Sequence, residues 1–247
     1  MPYTMIHIRV AEKVIKYLDA PVDYSTYILG TIAPDAVHAS KDYTVALKEA
    51  SHAFCDGLKW GKVADYADFL KWQASIKDFY SENCGKCDRD FLLGYTVHLL
   101  VDVFACERIY APFYLASKDL PDFDEKMAQF KKESYDINYM LYKEYEKEKN
   151  LHDVLKGARY CSIENYIDKD LYDPRIEQLY SYEFKERDLS HIRENTICTV
   201  ENTNALFEDL PGIIALWKGW KSNYRLNVGG SFSPACFFAF HDRFFAT

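Results

Sequence analysis

The chain has 247 residues, 49% of them hydrophobic, and a formal net charge of −8. That is enough apolar material for one substantial core, and the acidic balance excludes a protein whose overall field draws in nucleic-acid backbones. Only 10 glycines and 8 prolines punctuate the chain, which favours long helices over many short strands.

Residues 4–18, TMIHIRVAEKVIKYL, predict the first helix. Ile8, Ala11, Ile15 and Leu18 recur at helical spacing, His7 lies beside that stripe, and Thr4 reads as the N-cap. Residues 23–30 predict a short helix ending at Gly30. The following TIAPDAVHAS reads as a loop, because Pro34 disfavours helix at Ala33. An amphipathic helix is predicted over 60–81, and NCGKC breaks it. Cys84 and Cys87 have the spacing of a redox or zinc-knuckle pair. No second pair matches them, so they read as free thiols at a connecting loop. Residues 88–110 predict a buried helix. A loop around Pro121 leads to a long helix over 122–149, whose tail YKEYEKEKN alternates in charge and reads as solvated. Further helices are predicted over 151–157, 162–169, 173–183 and 188–208, with DLPG at 209–212 as a breaker. The last segment, NVGGSFSPACFFAFHDRFFAT, is aromatic and is expected to cover a cleft or make an oligomer contact. The pattern as a whole predicts an all-α single domain over residues 1–247, a multi-helix bundle.

No window approaches the apolar length of a membrane span, and the charged, amphipathic opening MPYTMIHIRVAEKV does not read as a signal peptide. Seven scattered cysteines read as reduced thiols, so a cytoplasmic location is expected. The 20 tyrosines and 16 phenylalanines suit a bulky core with tyrosine tips at the surface, or an aromatic cleft for an apolar or ring-bearing substrate.

Five polar residues stand out in apolar or tightly turned settings: His7, Asp35, His52, His98 and Asp102. Each has an ordinary structural explanation, such as a hydrogen-bonded core histidine or a carboxylate capping a turn. Asp102 is the hardest to explain this way, because a buried carboxylate needs a partner. His98 and Asp102 lie four residues apart on a helix, so both side chains leave one face. Imidazoles and carboxylates together suit a divalent transition metal such as zinc. Asp102 has two oxygens and is able to bridge to a second ion carrying His7.

The blocks IHIRVA (6–11), YILGTIAPDA (27–36), SHAF (51–54) and FLLGYTVHLLVD (91–102) together resemble the zinc-dependent phospholipase C family, related in fold to the S1/P1 nucleases. The resemblance spans the chain to about residue 110. It implies a mostly helical bundle with zinc at the bottom of a cleft, and hydrolysis of a phosphodiester. It makes Asp35, His52, His98 and Asp102 the ligands of one site and His7 a ligand of a second, bridged by Asp102. It also gives Asp35 a general-base role. The family's secreted members add a metal-binding mature amino terminus and a downstream H-x-x-x-E pair. Here His152, His191 and His241 have no Glu four residues on, so one or two ions are expected, with Glu107 and Asp136 as substitute ligands or supporting partners. His38 reads as a surface-loop histidine within reach of the site. The expected function is a metal-dependent phosphoesterase acting on a small phosphodiester or phospholipid head group, with no stable nucleic-acid complex. The alternatives are a binding or regulatory protein with a structural metal, and a metal-free hydrogen-bond network of the five residues.

Overall fold

The computed structural model describes residues 3–18, 20–215 and 217, and the aromatic segment at the end of the chain lies outside them. Ten α-helices run through the described residues: α1 (Thr4–Val14), α2 (Tyr24–Gly30), α3 (Val45–Ser51), α4 (Tyr66–Asn83), α5 (Arg89–Ala105), α6 (Ala111–Ser117), α7 (Phe123–Tyr145), α8 (Leu151–Lys156), α9 (Tyr172–Gln178) and α10 (Val200–Ala215). An isolated bridge between Ile163 and Ile167 is the only β-type pairing among those residues. The all-α class is therefore correct. No described helix is long and apolar enough to cross a membrane.

Helix α5 is the axis of the bundle. Asp88 caps it by accepting from the N–H groups of Asp90 and Phe91, at 2.9 and 3.2 Å. Its residues from Asp90 to Ala105 are buried on every side, and α1, α2, α4 and α10 pack around it. The contact with α2 is made backbone to backbone. A Cβ on Gly94 would stand 2.0 Å from the Tyr27 carbonyl oxygen, and one on Gly30 would stand 2.3 Å from that of Phe91. Only glycine fits either side of that crossing.

Several boundaries differ from the sequence expectation, each for a local reason. Thr4 is the first residue of α1 rather than its cap, and its hydroxyl donates to Glu183 instead. The helix expected from residue 60 begins at Tyr66, because Gly61 takes φ +73° and Asp65 supplies the cap. Over 162–169 there is no helix: Asn165 adopts φ 67°, and Ile163 and Ile167 exchange both backbone hydrogen bonds at 2.9 Å. The helix expected over 188–208 starts at Val200. Upstream of it, the buried Glu133 carboxylate accepts the N–H groups of Thr196, Ile197 and Cys198 and holds that stretch out of a helix. The DLPG breaker does not break: α10 continues through Pro211 to Ala215. Pro211 deprives the Phe207 carbonyl of its helical donor, and Lys13 Nζ replaces that donor at 3.1 Å.

Candidate metal centre

Helix α5 projects His98 and Asp102 toward α1 and α2. The Gly30–Gly94 crossing brings the end of α2 against α5, so the carbonyl of Thr31, just past α2, lies 2.7 Å from His98 Nδ1. The chain then enters a short helical turn, Ala33–Ala39, with Pro34 in its first turn, and this turn carries Asp35. His52 caps the C-terminal end of α3, whose own N-cap is Thr44. The Trp72 indole N–H, from α4, fixes the His52 carbonyl at 3.1 Å. His7 comes from α1 and stacks on His98, with ring centroids 3.8 Å apart and planes 8° from parallel.

All five residues singled out in the sequence meet in one buried cluster. Asp102 uses both oxygens: Oδ1 is 3.5 Å from His7 Nε2, and Oδ2 is 3.3 Å from His52 Nε2 and 3.7 Å from His98 Nε2. His52 Nε2 is 3.4 Å from Asp35 Oδ1. His38, from the Asp35 turn, reaches the same oxygen at 3.6 Å. Asp136 is buried as well, but its carboxylate pairs with Lys132, Arg187 and His191. Glu107 falls in the half-buried turn that continues α5.

The hydrogen bonds decide the tautomers. His98 Nδ1 faces the Thr31 carbonyl, and His52 Nδ1 lies 2.9 Å from the Lys48 carbonyl. A carbonyl only accepts, so each Nδ1 carries the proton and each Nε2 is the lone-pair nitrogen of a neutral ring. The two Nε2 atoms face each other at 3.2 Å. Among the described residues, the buried Asp102 Oδ2 beside them accepts no hydrogen bond. The His52 lone pair accepts from Lys48 Nζ at 3.0 Å, while the His98 lone pair and Asp102 Oδ2 converge beside it without a donor, an arrangement that a bound cation would relieve. His52, His98 and Asp102 each offer a donor atom within 4.8 Å of the others, as do His7, Asp35 and His98. The donor set of imidazoles and carboxylates, with backbone carbonyls orienting the rings, fits a transition metal such as zinc.

Burial sets the charges. It pushes the imidazoles of His52 and His98 down to about 3 and the Asp102 carboxyl up to about 7. It also acts to raise Asp35, but the Lys48 ammonium overcomes it and holds that carboxyl well below its ordinary range. Lys48, from α3, is the residue the sequence analysis missed. It is only 6% exposed, and its ammonium sits on Asp35 Oδ1 and 3.0 Å from His52 Nε2.

The cluster opens on a cleft of about 420 Å³ lined by Asp35, Lys48 and Asp102, with Trp60, Tyr110 and Tyr135 among its aromatic walls. That volume is in the range of small-ligand sites.

Metal-free protein is expected to lose stability in mild acid. Between the free-histidine pKa of about 6.5 and the folded value of about 3, the unfolded chain binds protons that His52 and His98 refuse. Their contribution is complete above about pH 6.5 and declines toward pH 3. Asp102 works in the opposite sense, since its raised pKa favours the folded state in acid and that contribution is lost as the pH climbs through about 7. With two histidines against one carboxyl, net stability rises from pH 4 and peaks near about 6.5. Urea unfolding of chelator-treated protein from pH 4 to 7 measures this, and a flat profile contradicts neutral buried rings.

Comparison of the chain with models of known protein families, with curated proteins and with solved structures gave no match.

Proposed function

We propose that the protein is a metal-dependent phosphoesterase of the zinc-dependent phospholipase C type, cleaving a small phosphodiester or a phospholipid head group. The observation that carries the proposal is the convergence of the His52 and His98 lone pairs on Asp102 Oδ2 beside an open cleft. A zinc or similar ion held there supplies Lewis acidity toward a phosphoryl group and lowers the pKa of water. Three donors leave a fourth coordination position for water or substrate, the pattern of a catalytic rather than a closed structural site.

The chain's own residues serve the rest of the reaction. Asp35 lines the cleft and is given the general-base role by the resemblance; its ion pair with Lys48 makes it a weak base, so it serves chiefly to orient an attacking water by accepting a hydrogen bond. Thr31 and the Lys48 carbonyl keep the rings of His98 and His52 in the required tautomer and orientation. The aromatic side chains of the cleft give a base or acyl group a surface to pack on.

The test is zinc content of purified protein together with hydrolysis of bis(p-nitrophenyl) phosphate, before and after chelation. Bound zinc, with turnover that chelation removes and zinc restores, is the expected result. Bound zinc without turnover, where chelation lowers only the melting temperature, identifies a structural ion instead. Protein that neither contains nor takes up zinc has the metal-free network.

A further inference from the structure

Lys48 is an unusual neighbour for a set of metal ligands. It is buried, and its ammonium makes an ion pair with Asp35 Oδ1 and a hydrogen bond to His52 Nε2 at 3.0 Å. The Trp60 ring lies 5.3 Å from the same nitrogen, so an aromatic face backs the charge. Lys48 and His52 are one helical turn apart at the end of α3, and the carbonyl of Lys48 also holds His52 Nδ1. The lysine is thus built into the cluster from both its ends.

The two candidate ligand groups are not independent. His98 belongs to both, and it has a single lone pair to give, because its Nδ1 donates to Thr31. Only one group at a time has its full set of donors. The group of His7, Asp35 and His98 also depends on Asp35, a carboxylate whose charge is already neutralised by Lys48 on Oδ1. The group of His52, His98 and Asp102 needs only that His52 Nε2 exchange the lysine hydrogen bond for the ion. Asp35 keeps hold of Lys48 while that happens.

We infer that the centre takes one metal ion, on His52, His98 and Asp102, and that the Lys48 ammonium permanently occupies the second cation position beside Asp35. This rests on the metal-dependent reading above. Charge supports it. Asp35 and Asp102 bring two negative charges to the buried cluster, and Lys48 with one divalent ion already exceeds them. A second divalent ion would raise the excess from one positive charge to three in a buried cluster, where like charges repel strongly. The lysine therefore fixes the stoichiometry at one and adds a positive charge facing the phosphoryl group in the cleft.

The experiment is a zinc count by elemental analysis after gel filtration of chelator-treated, zinc-loaded protein. Wild type is expected to retain one equivalent and Lys48→Met two, because neutralising the side chain frees Asp35 to hold a second ion with His7 and with Asp102 Oδ1, which lies 3.5 Å from His7 Nε2, without drawing on His98. Lys48→Arg keeps the charge and is expected to stay at one. Two equivalents in wild type overturn the inference whether or not any variant folds. One equivalent in wild type and still one in a folded Lys48→Met overturn the role of Lys48 while leaving the metal centre standing. No zinc in wild type overturns the metal centre itself.

Discussion

Gly94→Ala is expected to lower the unfolding free energy by ~3 kcal/mol or more, at the upper end of overpacking. The added Cβ meets the Tyr27 carbonyl oxygen at 2.0 Å and its carbon at 3.0 Å, both backbone atoms of a packed helix. Neither is able to rotate away, so α2 and α5 must part. In a domain of this size that corresponds to a fall in melting temperature of roughly 10 °C. Gly30→Ala presses on the same crossing from the other side, 2.3 Å from the Phe91 oxygen. Once the helices have separated, the second alanine has little left to disturb, so the double variant is expected to lose much less than the sum of the two. Any folded fraction is expected to bind zinc weakly, because the same crossing aligns Thr31 with His98. Denaturant unfolding of the three variants decides this. Additive losses, or a loss below ~1 kcal/mol for Gly94→Ala, contradict the close crossing.

His98→Ala has the largest expected effect on function. Removing a partner that only orients a metal-bound histidine weakens the metal about 10- to 100-fold. His98 is a donor itself and belongs to both candidate groups, so its loss is expected to exceed about 100-fold in zinc affinity and to abolish phosphodiester turnover. The variant also leaves the Thr31 carbonyl without its imidazole donor and opens space beside the His7 ring. A stability loss of ~2 kcal/mol in the metal-free protein accompanies those changes. Zinc competition against a chromophoric chelator reads the affinity, and urea unfolding of the apo form reads the stability. Wild-type affinity in a folded His98→Ala contradicts the assignment.

How much of this was legible in the sequence follows from what each signal depends on. His98 and Asp102 were visible because their spacing converts directly into a shared helix face, and their apolar surroundings made burial certain. Asp35 stood out beside Pro34 and His52 stood out in SHAF, but their convergence depends on the Gly30–Gly94 crossing, which no local pattern announces. Helix α3 was missed because it has no apolar stripe: Lys48 and Ser51 are its buried residues, while Val45 and Leu47 are 54% and 39% exposed. Lys48 was missed with it, although its four-residue spacing from His52 would have linked the two once a helix was assumed. The course of α10 through Pro211 was illegible for another reason. The donor that rescues the Phe207 carbonyl is Lys13, at the opposite end of the chain. The turn at 162–169 looked helical in composition, and the left-handed Asn165 decided otherwise.

The most direct test of the shared cation is a crystal grown with zinc, with anomalous diffraction collected on both sides of the zinc edge. One peak about 2.0–2.1 Å from His52 Nε2 and His98 Nε2 and about 2.0–2.2 Å from an Asp102 oxygen is expected. Zinc bound only elsewhere, with those three side chains left in contact with one another, contradicts the account.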